Sequence, residues 1–202
     1  MTRTITALYD SYDDAKTAVR DLEAAGIPHS DISIVANNAG GRHGTDDHSE
    51  AAEDAGKGAG IGGVLGGGAG LLPGLGVLAI PGLGPVVAAG WLAAAATGAV
   101  AGAVAGGAAG GVIGAMTDSG VEPDHAEVYA EGLRRGGTVV SARVADADAA
   151  RAEAILHRYN TVDPIVRRDA YRETGWTGFD EAAPPYTAEE IERERQLYLG
   201  QR

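Results

Sequence analysis

The chain has 202 residues, no cysteine, 28 acidic against 16 basic side chains and a net charge of −12. That length accommodates one domain with an insertion or a tail. Without cysteine there is neither a disulfide framework nor a thiolate metal site, and the negative charge argues against general electrostatic binding to nucleic acid or to anionic lipid.

Residues 4–9 read as a strand. Ser11 follows as an N-cap, with Asp13 and Asp14 complementing the positive end of a helix. Tyr12, Ala15, Val19 and Leu22 form its apolar stripe, and Gly26 with Pro28 stops it. Asp31 to Ala36 is a second strand, which gives a βαβ start over residues 1–36. Residues 37–56 are polar and linker-like.

From Gly58 to Thr117, sixty residues pass without an Asp, Glu, Lys, Arg or His. Glycines recur there every fourth position, at Gly58, Gly62, Gly66, Gly70 and Gly74, then at Gly98, Gly102, Gly106, Gly110 and Gly114, with Gly90 extending the second row backwards. Four residues advance a helix by about 400°, so each row makes a slowly drifting bare stripe. Such a stripe lets helix backbones approach closely, while each glycine costs about 1 kcal/mol of helix propensity relative to Ala. The spacing therefore predicts a glycine-faced helical hairpin over 57–118, packed against a partner. Pro73, Pro81 and Pro85 mark its turn, and Leu71, Leu72, Leu75, Leu78, Ile80 and Trp91 form an apolar tip.

Pro123 then opens a helix to Arg135, stopped by Gly136-Gly137, and Thr138 to Val144 is the next strand. Asp146 is the expected cap of a helix carrying Ala152, Ile155, Leu156 and Tyr159, and 162–168 reads as a final edge strand. Residues 119–168 thus supply a second βαβ-like half. The predicted fold class is α+β: a ferredoxin-like sandwich split by the apolar hairpin. The tail, 169–202, carries Trp176, Phe179, Tyr186, Ile191 and Tyr198, residues suited to docking on this subunit or the next. Thr187 and Glu190 fit a capping box for a last helix, 188–199.

Catalytic motifs are weak. Gly58-Ala-Gly60-Ile-Gly62-Gly63 satisfies a dinucleotide-binding search but follows no strand and lacks the acidic ribose ligand. Asn37-Asn38-Ala39-Gly40 and Tyr12 with Lys16 stand in the wrong order for a short-chain dehydrogenase. His43, Asp46, Asp47 and His48 have metal-ligand chemistry, yet a solvated linker explains them. Glu131 and Arg135 are an ordinary i,i+4 pair. No catalytic, cofactor or metal residue is assigned, and the chain reads as non-enzymatic.

Thr4 to Asn37 resembles the opening of the bacterial general stress protein domain, the YflT-like or heat-induced stress protein family. Ile80-Pro81-Gly82-Leu83-Gly84-Pro85 and Glu131-Gly132-Leu133-Arg134-Arg135-Gly136-Gly137 are similar to its longer, glycine-zipper members, so the resemblance spans roughly 3–168. It implies a role in stress and supplies no catalytic residues. The expectation is a self-assembling stress protein whose partner is a second copy of itself, with acidic α/β domains outside. Two alternatives stay open: a hairpin inserted in the lipid bilayer, and a ligand-sensing α/β domain. Met1 to Leu8 has no signal-peptide pattern, so the expected location is the cytoplasm, with membrane association as the alternative.

Overall fold

The computed structural model describes residues 2–41, 43, 76–95 and 111–199. The glycines from Gly58 to Gly74 and from Gly98 to Gly110, with Leu71, Leu72, Leu75, Asp46, Asp47 and His48, lie outside the described residues.

The fold is α+β. Strands β1 (Thr2–Tyr9), β2 (Ile32–Asn37), β3 (Gly76–Ile80), β4 (Gly84–Gly90), β5 (Thr138–Ala145) and β6 (Thr161–Val162) make one open sheet in the order β3-β4-β2-β5-β1-β6. Every pairing among them is antiparallel. The longest runs from Thr2 opposite Ala145 to Tyr9 opposite Thr138. Because side chains alternate across a strand, Ala7, Tyr9, Ile32, Ile34, Val140, Ala142 and Val144 enter one core, whereas Leu8, Val35 and Val139 enter the other.

Helices α1 (Tyr12–Ala24) and α4 (Ala149–Leu156) cover the first face, burying Ala15, Ala18, Val19 and Leu22 with Ala152, Ile155 and Leu156. The start of α1 is as expected: the Asp14 amide donates to Ser11 Oγ at 3.3 Å. Helices α2 (Gly111–Asp118) and α3 (Pro123–Arg134) pack on the second face through Val112, Met116, Tyr129 and Leu133. Gly132 lets α3 sit against the sheet, since a Cβ there would stand 2.6 Å from Leu8 Cδ2.

The chain between β2 and α2 departs from expectation. Residues 76–90 form a β-hairpin added to the edge of β2, with Ser33 to Asn37 opposite Gly90 to Val86. The helical hairpin predicted across 57–118 is thereby corrected for these residues. The physical reason is local. Val77, Ile80, Val86 and Val87 suit a pleated strand, and the glycine period lapses between Gly74 and Gly90. Pro81 and Gly82 turn the chain, with Leu83 N–H donating to Ile80 O at 3.1 Å and Gly82 at φ +74°, as a type II turn requires.

Gly90 is consequently no helix-packing residue. It closes β4 at φ +87°, where a Cβ would overlap the Ile32 carbonyl oxygen. Leu78 and Ile80 lie in β3, and Ile80 is buried rather than forming an exposed tip. Trp91 begins the helical residues 91–95 half-buried, its ring 4.9 Å from the Arg143 guanidinium. Gly114, the last of the second row, is half-buried in α2.

Two smaller expectations are also corrected. The helix expected to be capped by Asp146 has Asp148 at its N-cap. The edge strand expected over 162–168 is two residues long, because Asp163 accepts from the amides of Ile165 and Val166 and starts helix α5 (Pro164–Glu173). Pro164 in the first turn lacks the amide a helix start does not need. The last helix, α6 (Ala188–Leu199), begins as read: Thr187 N–H donates to Glu190 Oε2 at 2.8 Å, and Glu190 N–H to Thr187 Oγ1 at 3.3 Å.

Burial of phenols in this core makes stability alkali-sensitive. Burial, with the Asp163 carboxylate second, pushes Tyr129 from 10.0 up to about 12. Below pH 10 this phenol is neutral in both states and its contribution is complete. Between pH 10 and 12 the unfolded chain ionises while the folded one does not, so stability falls as pH rises. Urea unfolding at pH 9 and 11.5 is expected to show a loss of about 2 kcal/mol from this residue, and Tyr129→Phe to reduce the fall by that amount.

Candidate functional site

Among the described residues a buried polar grouping lies where the C-terminal ends of α3 and β1 meet α5 and α6. Gly136 and Gly137 bring the chain sharply round after α3, Gly136 at φ +98°. A side chain on Gly136 would overlap Ile191 Cγ2, so α6 packs directly on this corner.

Arg135 is its centre, 8% exposed. Its Nε donates to Glu131 Oε1 at 2.7 Å and its Nη1 to Glu194 Oε2 at 3.0 Å. Its guanidinium carbon stands 4.3 Å from the Tyr171 ring centre and 5.7 Å from that of Tyr186. Desolvation pulls its pKa down, but hydrogen bonds to and attraction by Glu131 and Glu194 outweigh it, so the net shift is upward and the charge is fixed. Glu131 is 1% exposed, and its other oxygen faces Arg134 at 3.6 Å. The surface i,i+4 pair expected from the sequence is therefore a buried one.

Beside it, Arg167 of α5 grips Asp10 in a fork, Nη1 to Oδ1 at 2.9 Å and Nη2 to Oδ2 at 2.8 Å. Its other side stacks on Tyr198 at 3.8 Å. Burial again opposes the charge and Asp10 restores it, with a net upward shift. Tyr171 is fully buried between the two arginines, and burial raises its phenol well above the usual range. Trp176 and Tyr198 meet its ring edge-on at 5.8 and 6.4 Å. The cavity left among Asp10, Arg135, Arg167 and Tyr171 measures about 10 Å³, no more than a water's worth of room. A wider groove of about 370 Å³ opens next to it, lined by Asp10, Asn160, Asp163, Val166, Arg167 and Tyr198.

The five tail residues expected to dock each meet other parts of their own chain, Phe179 apart from the other four. Trp176 and Tyr198 pack on Tyr171, Tyr186 lies 5.1 Å from the Arg134 guanidinium, Ile191 is buried on Gly136, and Phe179 joins the core under α2 and α3. Asp10 and Arg167 were missed, since a pair 157 residues apart leaves no local pattern. Chemically, both central arginines are taken up by the protein's own carboxylates and rings. The arrangement fastens the tail to the sheet.

These features define an antiparallel α+β body closed by a salt-linked C-terminal strap. Residues 4–76, which take in most of β1 and all of α1 and β2, match the family model of the heat induced stress protein YflT domain. Over that part the chain is similar to YflT-like general stress proteins. Searches of curated proteins and of solved structures gave no match.

Proposed function

We propose that this is a non-enzymatic, stress-associated protein that self-assembles through its glycine-rich segment, holding acidic α/β bodies outside. The YflT match supports the association with stress. The observation that carries the assembly is the sixty-residue charge-free stretch with its two rows of glycines, in a chain whose remainder bears a net charge of −12. A charge-free segment so rich in glycine suits a packing partner, since bare stripes at period four allow close helix crossings. The body's geometry is compatible. β2-β5-β1-β6, with α1 joining β1 to β2 and α4 joining β5 to β6, supports a ferredoxin-like sandwich, and β3–β4 extends its sheet beyond β2. Among the described residues β3 is an edge strand without a charged residue, and Val77 is 57% exposed, the kind of edge that invites pairing.

Among the described residues no helix is long and apolar enough to cross a membrane. Flotation of cell lysate in a detergent-free gradient, followed by imaging, tests the reading: dense, lipid-free particles are expected. Protein that rises with lipid would instead support a bilayer-inserted segment. Gly102→Leu with Gly106→Leu is expected to dissolve the particles, and Ala at both positions to leave them. Particles unchanged by the leucines would remove the glycine stripe as the interface.

A further inference from the structure

Between α5 and α6 the strap runs along a track of glycines. Gly178 passes α3, where a Cβ would stand 3.3 Å from Glu127 Oε2. Phe179 and Glu181 then cross the β3–β4 turn: a Cβ on Gly82 would stand 3.1 Å from Phe179 Cζ and 2.9 Å from Glu181 Cα. Glu181 also reaches α2, its Oε1 3.2 Å from the Cβ position of Gly111. Pro185 covers Gly84, where a Cβ would stand 2.8 Å from Pro185 Cβ, and Ile191 closes on Gly136. One continuous segment therefore touches the hairpin that precedes the second glycine row and the helix that ends it, and is anchored at both ends by the arginine cluster.

We propose that the strap is an intramolecular clasp: it pins the β3–β4 hairpin and α2 to the body, and by doing so restrains self-association. The restraint rests on the assembly reading above; the pinning does not. The clasp is suited to release. Its anchors are ion pairs and ring–guanidinium contacts, with Ile191, Tyr171 and Phe179 as its main apolar attachments. Peripheral elements open at lower free energy than central strands, so opening of the strap is expected to leave the β1–β5 centre of the sheet protected.

Hydrogen exchange on the full-length chain tests this, with Ile191→Ala and Phe179→Ala as separate variants and the amides of β1 and β5 as the internal control for folding. Each variant is expected to speed exchange in residues 76–90 and 111–118 by about tenfold or more while β1 and β5 stay protected. The fraction sedimenting as large particles should rise in parallel. Unchanged exchange in the hairpin and α2, with the strap itself exchanging faster, would overturn the clasp. Faster exchange there with an unaltered sedimentation profile would overturn the restraint. If neither the parent chain nor the variants form particles, the assembly reading fails, and the exchange data still decide the pinning.

Discussion

Arg135→Met is expected to remove about 3–5 kcal/mol of folding stability, the usual consequence of leaving one partner of a buried ion pair behind. The partner left is Glu131, 1% exposed and held at 2.7 Å by the side chain removed. Glu194, with 18% of its side chain exposed, can turn to water and contributes less. Arg134 stands 3.6 Å from the other Glu131 oxygen, at a distance that only partly offsets the loss. The decisive comparison is Glu131→Leu combined with Arg135→Met. Replacing a buried pair by apolar residues of similar volume is often neutral, so the double variant should return to within about 2 kcal/mol of the parent in urea unfolding. A double variant as unstable as the single one would mean that Arg135 acts through its stacking on Tyr171 and Tyr186 rather than through its charge.

This pair also shows what the sequence withholds. Glu131 and Arg135 are visible at i,i+4, and that spacing reads as a solvated helix face. Burial comes from Glu194 and Ile191, about sixty residues further on, and from Tyr171, so no local window contains it. Signals that are complete within one turn of chain were legible instead: Ser11 before α1, the Thr187–Glu190 box before α6, the stop at Gly136-Gly137. Ile165 and Val166 read as strand by their β-branching, whereas Asp163-Pro164 before them is itself a helix start. The hairpin departs from its reading for a related reason. With no charged residue from Gly58 to Thr117, polar–apolar alternation disappears as a strand signal. The glycine period then dominates beyond the residues that obey it.

Gly90→Ala separates the two readings of this segment by the sign of its effect. In a glycine-faced helix, alanine adds about 1 kcal/mol of propensity and is small enough for most close crossings. At the end of β4 the same methyl meets φ +87° and overlaps the Ile32 carbonyl oxygen. The left-handed conformation alone costs about 1–2 kcal/mol, and shifting two paired backbones apart adds about 1–3 kcal/mol. Gly26→Ala is the control for the first contribution, because Gly26 has φ +86° and nothing within 4 Å of a Cβ. Gly90→Ala is thus expected to be the more destabilising of the two, by about 1–3 kcal/mol. The excess should appear in hydrogen exchange as loss of protection where Ser33 faces Gly90 and Ile34 faces Ala89. A stabilising Gly90→Ala would return residues 76–90 to the helical hairpin. A loss equal to that of Gly26→Ala would mean that β4 withdraws from β2 without cost, which the fully buried Val86 and Ala89 beside it argue against.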